Sequence, residues 1–141
     1  MGETGLKEKL FVDSSAFFAL LDKNDIYHER TLLFFYEIRE KFYPFTSDFI
    51  LSECFTLIRR KLGIEIAVRF GDNIFSSKVL KIVYLDENLI LESWNLFKKY
   101  RDWQFSFADC SSFIIMKNLR ITKAFCFDEH FMNMGFKSEP S

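Results

Sequence analysis

Four short apolar runs constrain this chain: KLFVD (9–13), FYPFTSD (42–48), VLKIVYLD (79–86) and ITKAFCFD (121–128). Each is brief, rich in β-branched and aromatic residues, and separated from the next by stretches of helical character. Apolar strands alternating with helices require a parallel sheet covered on both faces. The expected fold is therefore α/β, a three-layer α/β/α sandwich around a central parallel sheet of four to five strands. Right-handed crossovers bring all the strand C-terminal ends to one edge. Sheets of this kind carry their sites there.

Between the strands, SSAFFALLDK reads as a short helix broken at Asn24 and Asp25, and residues 26–41 as a second helix. Residues 49–61 form a third, closed by Gly63. IEIAVRFGDNIF is read as helical despite Gly71. Residues 87–100 and 107–119 complete the set, joined by the loop RDWQF, and a short helix and a tail follow residue 128. There is no repeat or Pro/Gly-rich linker, and 141 residues suit one domain over 1–141 with its core at about 9–137.

Apolar residues at 49% and aromatics at 18% exclude a disordered chain. The net charge of −1 favours no class of partner, so a nucleic-acid site would rest on local basic clusters. Those present are Arg59-Arg60-Lys61, Lys98-Lys99 with Arg101, and Lys117, Arg120, Lys123. Cys54, Cys110 and Cys126 have neither metal-binding spacing nor an even count and lie in apolar runs, so they are expected to be buried thiols. The N-terminus lacks a signal-peptide core, and no run approaches the ~20 apolar residues of a membrane span. Gly2 lacks the hydroxyl residue a myristoylation signal needs, position 6 being Leu6. The expectation is a cytoplasmic protein without a membrane segment.

The acids carry the chemistry. Three strands end in aspartate, at Asp13, Asp86 and Asp128, each followed by a helix that the residue can cap. Asp109 lies in QFSFADCSSFIIM, among residues that favour burial, although Ser106 three positions earlier offers a capping box. Glu53 falls within the apolar arc of FILSECFTLIRRK, towards one edge, with Phe49, Ile50 and Leu57 as surface neighbours. A carboxylate out of water needs compensation. Asp13 and Asp128 at strand ends, with Glu53 and Asp109 near the first turns of helices that start at the same edge, would repel one another. A divalent cation removes that repulsion, and hard oxygen ligands on a partly open site suit Mg²⁺ or Mn²⁺.

FVDSSAFFALL, TSDFILSECFTLI, SFADCSSFIIM and AFCFDEHFMNMGF together resemble the PIN domain family, and within it the VapC-type toxin ribonucleases of bacteria and archaea. The likeness runs over about residues 9–137. It implies metal-dependent hydrolysis of RNA phosphodiesters, with Asp13, Glu53, Asp109 and Asp128 as catalytic metal ligands. Ser106 and Thr46 match positions where the family tends to have small hydroxyl residues and are expected to steady the ligands from behind. The resemblance also implies homodimers and a small antitoxin protein as partner. Asp86 has no place in that acid set and is assigned to capping.

Other readings compete at particular residues. His28 and His130 have no metal-ligand spacing and are expected to pack or to face solvent. Trp94 and Trp103 have the chemistry to stack bases but are expected to serve core or dimer packing. A phospho-acceptor receiver domain, with Asp86 on a middle strand as acceptor, wants a second acid beside Asp13, where Ser14 stands, and a lysine where Asp128 stands. A module of the same fold that binds RNA or protein without cutting stays open.

Overall fold

In the computed structural model, which describes residues 6–140, strands form where the apolar runs predict them. They are β1 (Glu8–Val12), β2 (Phe42–Ser47), β3 (Lys81–Val83) and β4 (Lys123–Phe125). Part of the N-terminal stretch read above for a leader, Gly2 included, lies outside the described residues. A fifth strand, β5 (Lys137–Glu139), forms in the stretch read as a tail. Its sequence, KSE, has no strand signature. It pairs because Lys137, Ser138 and Glu139 lie beside the exposed edge of β4. Position, and not propensity, makes it a strand.

All pairings are parallel, in the order β3-β2-β1-β4-β5. The helices are α1 (Ser14–Leu21), α2 (His28–Lys41), α3 (Asp48–Leu62), α4 (Ile64–Ser76), α5 (Glu87–Lys99), α6 (Phe107–Leu119) and α7 (His130–Asn133). The chain moves from β1 to β2 to β3 in one direction, then returns past β1 to β4 and β5. Right-handed crossovers therefore set α1 to α4 on one face and α5 to α7 on the other. The connections after β1 and β4 leave on opposite faces, so the sheet's switch point lies between these two neighbours. A crevice at such a point is where open parallel sheets place their sites.

Local chemistry explains the element ends. Asp13, Ser47, Asp86 and Ser106 each cap a helix by accepting from a backbone N–H in its first turn. Gly63 ends α3 at φ 101°, a backbone shape that disfavours side chains. Pro44 sits in β2 opposite Leu10, one residue before pairing with β3 begins at Phe45. On its other side the strand has no partner there, so the missing N–H breaks no ladder bond. Gly71 is carried within α4, as expected.

The core is largely aliphatic and aromatic, with Leu10, Phe11, Ile50, Ile58, Ile115, Met116 and Phe131 fully buried. Residues 109–116 of α6 are all buried, so this helix is covered on every side. Buried Ser111 and Ser112 satisfy their hydroxyls by donating to the Ala108 carbonyl at 2.7 and 3.0 Å. The three cysteines are free and buried, as expected. No helix among the described residues is long and apolar enough to cross a membrane.

Candidate active site

Asp13 is the residue after β1, and its backbone N–H donates to the Phe125 carbonyl of β4 at 3.0 Å. The residue is 2% exposed. Oδ2 accepts from the Ser15 N–H at 3.2 Å and the Ser15 hydroxyl at 2.7 Å. That hydroxyl in turn accepts from the Phe127 N–H at 3.1 Å. Ser15 thus ties the ends of the two strands at the switch point. Thr46 stands behind them, fully buried, donating its hydroxyl to the Val12 carbonyl at 3.0 Å.

Asp109 is brought to the same place by the start of α6. The capping box read from the sequence forms: the Asp109 N–H donates to Ser106 Oγ at 2.9 Å, and the Ser106 N–H donates to Asp109 Oδ2 at 3.0 Å. Asp128 follows β4, and its Oδ1 accepts from the His130 N–H at 3.0 Å.

These three acids feel one another. Burial, then Asp128, with a smaller contribution from Asp109, pushes the Asp13 carboxyl from the ordinary 3.8 up to about 7, against the lowering effect of Ser15. Asp128 is also raised, first by burial, with Asp109 adding to it and His130 opposing. Asp13 and Asp128 thus lie near enough for each to act on the other.

Glu53 corrects the expectation of a buried position. It is exposed on α3, because the neighbouring Phe49 and Leu57 are themselves only half-buried and border a groove. It reaches the cluster through Ser14, whose hydroxyl donates to Glu53 Oε1 at 2.7 Å. The structure thus brings Asp13, Asp109 and Asp128 together and holds Glu53 beside them.

Asp86 stands apart. It caps α5, with Oδ1 accepting from the Leu89 N–H at 2.9 Å. It follows β3, which is an edge strand and not the middle strand a receiver domain would need. That alternative loses its acceptor site.

Sequence reasoning missed His130, expected only to pack or face solvent. Its Nδ1 lies 2.7 Å from Asp109 Oδ2. The available signal was its place two residues after Asp128. His28 matches its expected packing role, with Nδ1 2.8 Å from the Ala19 carbonyl. Trp103 stacks on buried Phe105, and both tryptophans remain about half exposed.

Among the described residues, no group of three or more histidine, cysteine or acidic side chains is arranged as it stands to hold a metal ion. The donor set nonetheless fits a hard divalent cation. It is all oxygen, one member is buried beside two other acids, and Asp128 opens to solvent. The hydrogen bonds from serine, histidine and backbone donors fall on one oxygen of each acid: Oδ2 of Asp13 and Asp109, Oδ1 of Asp128, Oε1 of Glu53. Each therefore keeps a second oxygen that these donors do not occupy.

Two open hollows flank the acids. One, of about 550 Å³, contains Glu53, Phe49, Phe107, Thr56 and Arg60. The other, of about 380 Å³, contains Asp128, Ser14, Phe18, Tyr27 and Phe127. Leu57 borders both, so they meet beside the Ser14–Glu53 bond.

Over 91 residues the chain is 31% identical to the 23S rRNA-specific endonuclease VapC20 of Mycobacterium tuberculosis, covering 64% of this chain and 69% of that protein. The crystal structure of that VapC20, described as a sarcin–ricin loop cleaving toxin, superposes with a TM-score of 0.84 at 28% identity, over 90% of this chain and 95% of the other. The crystal structure of FitAcB from Neisseria gonorrhoeae shares the fold at TM-score 0.67 and 14% identity, over 92% and 95% of the two chains. The family model for the PIN domain matches residues 10–137. The chain belongs to the PIN domain family.

Proposed function

We propose that this protein is a divalent-metal-dependent endoribonuclease of the VapC type, the toxin of a toxin–antitoxin pair. The observation that carries the reading is the meeting of Asp13, Asp109 and Asp128 at the sheet's switch point, with Asp13 raised to about 7. Kinship with VapC20, an RNA endonuclease, supports the substrate class.

Asp13, Asp109 and Asp128 would hold a Mg²⁺ or Mn²⁺ ion, with Glu53 completing the set from the groove. Bound there, the ion would lower the pKa of an attacking water and neutralise charge on the phosphate. The chain's own residues do the positioning. Ser15 and the α6 capping box fix two of the carboxylates against rigid elements. Ser106 thus holds Asp109 directly, while Thr46 holds the β1–β2 pair behind Asp13. The aromatic-lined hollows on either side suit bases flanking the cut. Arg60, beside Glu53, is the basic residue best placed for a phosphate.

Two further surfaces support the partners. An apolar trough of about 670 Å³ runs between α1, α2 and α4, past Phe17, Tyr36, Phe70 and Ile74, with Arg39 and Arg69 among its walls. It suits an amphipathic segment of an antitoxin. Half-exposed Leu91 and Trp94 on α5 suit a second copy of the chain.

The test is cleavage of an RNA panel that includes a 23S rRNA fragment, with Mg²⁺, Mn²⁺ or chelator, beside Asp109→Asn. We expect cutting that needs the metal and falls at least ~100-fold in the variant, which stays folded. Wild-type cutting in chelator, or an Asp109→Asn protein that cuts at the wild-type rate, overturns the reading. Metal binding with no RNA cut would favour the non-cleaving module.

A further inference from the structure

One residue holds two of the clustered acids at once. The His130 backbone N–H donates to Asp128 Oδ1 at 3.0 Å, and its Nδ1 lies 2.7 Å from Asp109 Oδ2. Asp109 Oδ2 already accepts from the Ser106 N–H. An oxygen that is accepting there faces a donor, so Nδ1 carries the hydrogen. The ring is backed by buried Phe105, edge-on with centroids 5.4 Å apart. Phe105 also packs against Phe113 of α6. The imidazole is therefore braced from behind, with its bond to Asp109 spanning 21 residues of sequence.

We propose that His130 is a positioning residue that locks the Asp109 carboxylate through Oδ2 and joins the α7 start to the α6 start, so that Asp109 and Asp128 present their other oxygens to one divalent cation. This rests on the proposal that these acids bind the cation. In this role His130 acts through Asp109, to which Nδ1 is committed, and not as a ligand. Hydrogen bonds behind carboxylate ligands typically change metal affinity 10- to 100-fold when removed.

The chemistry of substitution separates positioning from packing. In asparagine the amide nitrogen is bonded to Cγ, as Nδ1 is. In glutamine it stands one atom further out, nearer the place of Nε2. Titration calorimetry with Mn²⁺ would be run on wild type, His130→Ala, His130→Asn, His130→Gln and Asp109→Asn, with melting in chelator to check each fold. His130→Ala should weaken Mn²⁺ binding about tenfold or more. His130→Asn should recover most of that loss, and His130→Gln should resemble alanine.

Binding by His130→Ala within twofold of wild type overturns the proposal, as does equal recovery by asparagine and glutamine. If alanine fails to fold, the asparagine–glutamine contrast decides alone. Asp109→Asn separates the two levels. If it loses Mn²⁺ while His130→Ala keeps it, only the role of His130 falls. If Asp109→Asn binds like wild type, the cation reading at Asp109 falls and takes the His130 role with it.

Discussion

At Asp13 a carboxyl is almost wholly removed from water, beside two other acids. Its pKa near 7 lies above the 3.8 of the unfolded chain, so the folded state binds the proton more tightly. Stability from this residue is present at low pH and lost as pH rises from about 4 through 7. In chelator the protein should therefore melt lower at pH 8 than at pH 5. Asp13→Asn should raise the pH 8 stability by about 2–4 kcal/mol while removing cleavage. Equal melting temperatures for the two proteins at pH 8 would contradict this account of the site. The acids were legible in the sequence because strand ends and a capping motif fix their place. Glu53 was located, but its exposure was misjudged, since helical periodicity does not reveal where a groove opens between helices. His130 stayed hidden because its meaning lies in a side-chain contact that exists only once α6 and α7 are folded together.

Among the elements, most helices were readable from period and caps, with α3, α4, α5 and α6 falling within a residue or two of expectation. The exceptions have physical causes. The run 79–86 yields a strand of only three residues, β3, because it pairs at the sheet edge with the last half of β2 alone. β5 was unreadable because tertiary position overrides its polar sequence. The carboxylates at strand ends separate into two kinds only in the fold. Asp86 serves α5 alone, so Asp86→Ala should cost about 1 kcal/mol in denaturant unfolding. It should leave Mn²⁺ affinity unchanged. A loss of metal binding in that variant would show that Asp86 belongs to the site.

For the whole molecule, strand order makes the site. Because β1 and β4 are neighbours whose connections leave on opposite faces, Asp13 and Asp128 are paired across the crevice and the start of α6 brings Asp109 over it. That the sheet is parallel and covered on both faces followed from the alternation of runs. The strand order did not, since it depends on which non-consecutive strands pair. The same order leaves two separate surfaces open, the groove with its hollows at one edge and the trough between α1, α2 and α4 on one face. The most direct test of the central claim is anomalous diffraction from crystals grown with Mn²⁺ at pH 8. The account predicts a strong peak at coordination distance from Asp13, Asp109 and Asp128. A map without a peak there would contradict it.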